Sequence, residues 1–264
     1  MIKMFDSVIR HRQLLMELVK REFSGRYRGS FGGVFWSFAE PLFMLSIYVV
    51  AFGFIMQARW SQTGDAKEYA FMIFAGLIVF QAFSECLNKA PRLIVGNPNF
   101  VKKVVFPLEI LPWVMSIATL AHLLIAVVLW LAGYILLFGT PHPTLLYLPV
   151  VLIAFFPMLL AVGWLLAAVG VIVRDVDQVT GMLGRALLFM SPIFYSLDAA
   201  PALIKSALLV NPLTFIIEQF RLILFVGQSP NFAGLLIYFG VAMAASAGAL
   251  FIFRRMRPIF ADNL

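Results

Sequence analysis

Glu218 and Arg221 stand three residues apart in NPLTFIIEQFRLILFVGQSP (211–230), a run that is otherwise strongly apolar. At that spacing a carboxylate and a guanidinium meet on one helix face and neutralise each other. Asn211-Pro212 and Ser229-Pro230 are turn signals that fence the run at both ends. The other residues able to do chemistry do not gather into a reaction centre. His11, His122 and His142 lie on different segments, without metal-ligand spacing. The one cysteine, Cys86, excludes an intramolecular disulfide and a thiolate cluster and reads as a small apolar helix residue. No G-x-x-x-x-G-K-[ST], H-E-x-x-H or G-x-S-x-G string occurs. Nucleotide binding by a P-loop, zinc proteolysis and serine-hydrolase chemistry therefore have no home here. His122, inside an apolar stretch, reads either as a proton relay or as a hydrogen-bonded structural histidine. Glu85 and Glu109 sit toward the ends of such stretches and read as helix-end carboxylates.

The elements that must position these residues are apolar helices. Of 264 residues 62% are hydrophobic and 12% charged, with a mean hydropathy of +0.95. A soluble domain has roughly a quarter charged and roughly half apolar. The chain reads as an all-α integral membrane protein. Six stretches are long and apolar enough to span, near 31–56, 69–90, 106–138, 144–173, 178–197 and 231–253. The third and fourth exceed the need, which predicts tilt or an extension beyond the bilayer. The charged, amphipathic start does not have the pattern of a cleavable signal peptide. With both termini cytoplasmic, all but Arg59, Lys67, Lys205 and Arg221 of the 20 Lys and Arg fall on inner segments. A seventh span at 211–230 would carry the terminal RRMRP outside, so that run is expected to enter and return from the outer face. Its shape is then a re-entrant hairpin of about 200–209 and 213–226 within an outer region 198–230. The excess of positive charge is topological and calls for no nucleic acid. Residues 7–29 place Val8, His11, Leu14, Leu15, Leu18, Val19 and Phe23 near one face, the pattern of an interfacial amphipathic helix.

Two stretches, LVKREFSGRYRGSFGGVFWSFAEPLF (18–43) and RDVDQVTGMLGRALLFMSPIFYSLDAAP (174–201) followed by NPLTFIIEQFR (211–221), carry a family likeness. Together with six spans and cytoplasmic termini, they make the chain resemble the membrane subunit of type-2 ABC exporters, in the branch that exports O-antigen and capsule polysaccharide. The resemblance implies a homodimeric channel in a bacterial inner membrane, driven by two copies of a separate ABC ATPase subunit. ATP and magnesium belong to that partner, and no cofactor is expected in this chain. The cargo implied is a polysaccharide on a lipid carrier. A teichoic acid, a drug or another small amphiphile is the alternative within transport. An intramembrane lipid-modifying enzyme is the alternative outside it, and Glu40, Glu109 and His122 are too few to support one.

The resemblance also suggests roles. The 92–105 segment, with its Gly96-Asn97-Pro98 break, Phe100, Lys102 and Lys103, is the candidate ATPase-coupling element, the alternative being a cytoplasmic turn whose lysines obey topology. Arg174 and Asp175 are expected to form a charge pair or a helix cap there and to touch the ATPase. The amphipathic helix anchors to anionic lipid, lies beside the ATPase, or both. In the first span Gly33, Trp36, Ser37, Glu40, Met44 and Tyr48 form one stripe. Trp36, Tyr48, Phe194 and Tyr195 are candidate channel aromatics, stacking on sugar faces, or else packing and interface-belt residues. Glu40, just before Pro41, would read substrate hydroxyls or satisfy freed backbone. Asn211, Pro212, Glu218 and Arg221 are the candidate outer gate, with the Glu218–Arg221 pair bordering water.

Overall fold

A computed structural model of the chain describes residues 7–25, 35–48, 50–51, 65–101, 106–173, 175–197 and 201–260. Those residues are helical apart from short turns, and none of them forms a strand. The helices are α1 (Arg12–Gly25), α2 (Trp36–Tyr48), α3 (Ala66–Lys89), α4 (Pro98–Val101), α5 (Ile110–Phe138), α6 (Leu148–Ile172), α7 (Val176–Phe189), α8 (Ala202–Val210), α9 (Pro212–Arg221) and α10 (Phe232–Met256). Residues 31–34, 49 and 52–56 of the expected first span lie outside the described residues, as do 26–29 of the amphipathic stretch.

Four helical stretches among the described residues are long and apolar enough to cross a membrane: Lys67–Arg92, Ile110–Phe138, Pro143–Ile172 and Phe232–Phe260. They match the second, third, fourth and sixth expected spans. At 1.5 Å per residue the 29 residues of α5 run about 44 Å, more than the roughly 30 Å of hydrocarbon. The α3 stretch is the hub: 83% of its apolar window is buried within the chain, against 28–39% in the other three. Phe71, Ile73, Phe74, Ala75, Leu77 and Ile78 all bury, because neighbours cover every side of the helix. Those neighbours include α5, α7 and α9. A second apolar cluster joins Leu15 and Leu18 of α1 to Trp113 of α5, Trp164 of α6 and Phe253 of α10. This is the face expected of the amphipathic helix, and Arg10, Arg12, Lys20 and Arg21 stay exposed.

Close approaches fix the packing. A Cβ at Gly170 would sit 2.2 Å from the Pro91 carbonyl oxygen, so only glycine lets α6 meet the 3-10 turn Ala90–Arg92. Trp130 donates to the Phe71 carbonyl at 3.0 Å and Trp164 to the Glu109 carbonyl at 3.1 Å, which pins neighbouring helices in register. The Glu109 carboxylate pairs with Arg254 at 2.7 Å, tying the start of α5 to the end of α10. Among polar groups in an apolar setting each such pairing avoids a desolvation cost of about 1–3 kcal/mol.

The fifth stretch departs from its expected bounds. Helix was expected over 178–197, but α7 ends at Phe189 after 14 residues, roughly 21 Å. Pro192 is the cause: it has no N–H to donate to a helical ladder, and the chain turns through Met190–Ser196 instead.

Candidate functional site

The unwound end of α7 leaves several backbone carbonyls without helical donors, and the surrounding elements supply side chains for them. Tyr195 donates its hydroxyl to the Phe189 oxygen at 3.0 Å. Asn211 Nδ2 donates to the Met190 oxygen at 2.9 Å and to Ser191 Oγ at 2.9 Å. Arg221 donates Nη1 to the Pro192 oxygen and Nη2 to the Ile193 oxygen, the latter at 2.7 Å. Tyr69 of α3 donates to the Phe194 oxygen at 2.6 Å. Irregular backbone at membrane depth survives only when its polar groups are met in this way or line water.

Arg221 is the centre of the arrangement. Its side chain is 2% exposed, and its Nε also donates to the Met72 oxygen of α3 at 2.9 Å. The planar five-donor fork suits such a cluster of acceptors, where a lysine would not. Gly76 makes room for it, since a Cβ there would lie 2.8 Å from Nη2. Local sequence explains how Arg221 arrives. Asn211 caps α9 by accepting from the Leu213 N–H at 2.9 Å, and Pro212 takes the first helical position, where no N–H is needed. The buried face of α9 carries Leu213, Ile216, Ile217, Phe220 and Arg221 onto α3. Beyond it a π-turn, Leu222–Val226, closes at Gly227 with φ +74°, and the Asn231 N–H donates to Gln219 Oε1 at 2.7 Å.

The expected Glu218–Arg221 pair forms, at 3.1 Å. Its setting differs from the expectation: Arg221 is sealed in the protein and held chiefly by main-chain carbonyls, while Glu218 alone is part-exposed at 32%. Asn211 and Pro212 occupy the capping positions just described. Of the four aromatics, Trp36 is exposed and Tyr48 packs part-buried on the core. Phe194 also packs on the core, with its ring 6.0 Å from the exposed Phe189, and Tyr195 is half-buried with its hydroxyl committed to the α7 end. Glu40 lies on α2, but its side chain is outside the described set.

At the opposite end of the bundle, Asn97 Nδ2 donates to the Leu93 oxygen at 3.0 Å, and Pro98 starts the short α4. Phe100 stacks on Phe106 with centroids 4.3 Å apart, and the Arg21 guanidinium lies 5.3 Å from the Phe100 centroid. Lys102, Lys103 and Arg174 lie outside the described residues. The expected Asp175 cap is not made: its carbonyl, not its carboxylate, receives the Gln178 N–H. Asp177, two positions on, pairs with Arg92 instead and joins this segment to the start of α7. Reasoning from sequence missed Tyr69, Gly76, Arg92 and Asp177. Only the glycine within a span gave a signal, as a place where something approaches closely.

His122 is hydrogen-bonded rather than isolated. Its Nδ1 lies 3.4 Å from Glu85 Oε2, and its ring stacks 5.1 Å from Phe23 of α1. Cys86 is fully buried, with its thiol 3.7 Å from Thr119 Oγ1.

Residues 13–225 match the family model described as ABC-2 type transporter. The chain is 26% identical over 266 residues to the O-antigen export system permease protein RfbA of Myxococcus xanthus, covering all of both chains. It is 23% identical over 254 residues to the O-antigen export system permease protein RfbA of Klebsiella pneumoniae, 95% of each. With the polysialic acid transport protein KpsM of Escherichia coli it shares 26% identity over 210 residues, 77% of this chain and 78% of that one.

Proposed function

The chain belongs to the ABC-2 type transporter family, and from that premise we propose that it is the permease subunit of an ATP-driven exporter of a lipid-linked polysaccharide such as an O-antigen or a capsule chain. The observation that carries the reading is the end-to-end correspondence with an O-antigen export permease. The absence of a P-loop from the sequence fits a division of labour in which a separate ABC ATPase binds ATP and magnesium. In this reading the protein sits in a bacterial inner membrane with both termini in the cytoplasm, as the distribution of Lys and Arg favours. Two copies enclose the channel and two ATPase subunits drive it.

The six-span topology completes the four apolar helices with α2 as part of the first span and α7 as the inner part of the fifth. Helices α8 and α9 form the outer re-entrant hairpin. The Arg221 clamp supports this placement: a cation held by carbonyls of a broken span is how a polar turn survives at depth. The hairpin works as a gate whose inner leg, α9, is fixed to α3 and to the end of α7. The exposed Trp36 and Phe189 are the aromatic surfaces on which sugar faces slide. The 92–101 segment, braced by Arg21 below Phe100 and linked by Arg92 to Asp177, passes ATPase motion into α7.

The test is ATP hydrolysis and transport by the protein copurified with its ATPase in lipid nanodiscs, with lipid-linked glycans supplied. A hydrolysis rate raised by one glycan, with ATP-dependent movement of that glycan into vesicles, is the expected result. A stable complex that hydrolyses ATP but moves only small amphiphiles would replace the cargo. A chain that assembles with no ATPase would overturn the reading.

A further inference from the structure

Among the described residues, a cavity of about 610 Å³ opens where the last turn of α1 meets the last turns of α3, lined by Glu22, Gly25, Ser84, Glu85, Asn88 and Lys89. Its size falls within the roughly 300–1,000 Å³ of small-molecule sites. Its chemistry is out of keeping with a chain that is only 12% charged. Five of its six lining residues are polar or charged, and they are organised. Lys89 Nζ sits 2.9 Å from Glu85 Oε1 and 3.2 Å from Glu22 Oε1. Glu85 is braced from behind by His122 of α5. Asn88 Nδ2 donates to Ser84, to the carbonyl at 2.8 Å and to Oγ at 3.2 Å. Ser84 and Asn88 also border α7, where a Cβ at Gly184 would lie 3.6 Å from Ser84 Oγ and 4.0 Å from Asn88 Nδ2.

We infer that this cavity is a binding site for a neutral, hydroxyl-rich sugar unit, at which cargo is first held at the inner mouth of the channel; the cargo role rests on the exporter reading. The charge pattern selects the ligand class. Two carboxylates in the wall repel a phosphate or pyrophosphate, and the ammonium held between them opposes a cation. What suits such a wall is a group that both donates and accepts. Each carboxylate offers about four acceptor positions and the ammonium three donors, so vicinal hydroxyls find fixed partners of both kinds. The ion pairs hold these side chains in place before a ligand arrives, which lowers the ordering cost of binding. The site lies beside α7, the helix whose far end carries Phe189, so a sugar released from it meets that helix next.

The experiment uses the permease–ATPase complex in nanodiscs, without ATP, and a photoreactive probe. The probe is an octyl β-glucoside carrying a diazirine next to the anomeric carbon; octyl phosphate with the same diazirine is the anionic control. Mass spectrometry of the labelled protein should place the glucoside on residues 84–89 and 22–25, competed by excess methyl glucoside. Asn88→Trp, which fills the cavity from a solvent-facing position, should cut that labelling at least fivefold, and Glu85→Gln should cut it severalfold. Copurification with the ATPase in unchanged yield shows that each variant is folded. Equal or stronger labelling by the phosphate probe overturns the inference, as does Asn88→Trp labelling like the parent. Because no ATP or export is involved, loss of this site leaves the exporter reading standing. Conversely, a chain that labels here but shows no glycan-stimulated hydrolysis would keep the sugar site and lose its assignment as a loading site.

Discussion

Arg221→Met should unseat the end of α7 and the α9 helix more than any other single change of similar size. The substitution keeps an unbranched, flexible side chain and removes the guanidinium. Carbonyls of Pro192 and Ile193 then lose their donors, and that of Met72, already in the α3 ladder, loses its second one, in a region where Arg221 is 2% exposed. An unsatisfied buried acceptor costs about 1–3 kcal/mol, and relaxation of the α7 end recovers part of the sum, so the net loss is about 3–5 kcal/mol. That is the range seen when one partner of a buried charged cluster is removed. For a chain of this size it corresponds to a melting temperature lower by roughly 6–20 °C. Arg221→Lys, which keeps the charge without the fork, should fall between parent and Met. Glu218→Gln touches only a part-exposed partner and should cost about 1 kcal/mol or less. The assay is thermal unfolding of the detergent-purified protein followed by intrinsic tryptophan fluorescence, run beside ion leak through reconstituted vesicles. Arg221→Met should raise leak as well as lower the melting temperature. The reasoning is refuted if the order inverts, with Glu218→Gln costing more than Arg221→Met. A gate held mainly by the carboxylate–guanidinium pair would behave in that way.

Gly170→Ala should sharply reduce the yield of folded protein, because its Cβ would meet the backbone of Pro91, which cannot rotate away. Gly181→Ala, with nothing within 4 Å, should be neutral or stabilising by up to about 1 kcal/mol of helix propensity, and paired melting curves decide both. Gly227→Ala places a Cβ at φ +74° and against the His142 ring, at a cost of at least about 1–2 kcal/mol, visible in the same melts. Cys86, the only thiol, should resist maleimide in the folded protein and react in full after denaturation in dodecyl sulfate; rapid labelling of the native form would contradict its burial.

Much of the helical plan was legible because a bilayer allows few solutions. Runs such as 106–138 and 231–253 announce themselves by length and composition, and Asn211-Pro212 announces the start of α9 by capping chemistry. The end of α7 is half-legible: Pro192 forbids the helix that hydropathy alone extends to 197. The main-chain partners of Arg221 could not be read at all. Three of its acceptors are main-chain oxygens, which every residue possesses and none advertises. Sequence spacing points only to Glu218, or to a partner across the dimer. Asp177 was missed for a related reason. Asp175 beside Arg174 looked like a local pair, whereas the partner of Asp177, Arg92, lies 85 positions away and is set by how α3 and α7 pack.

The clamp also has an order in time. Met72, Pro192 and Ile193 all precede Arg221 in the chain, so synthesis delivers every acceptor before the cation that needs them. Arg221 need not wait unpaired in lipid while a later helix is made. Its docking needs the second and fifth hydrophobic stretches already side by side. A ribosome-bound chain stalled before residue 221 would carry an open set of carbonyls. The guanidinium thus follows all of its main-chain acceptors in the chain and precedes the last apolar helix, α10.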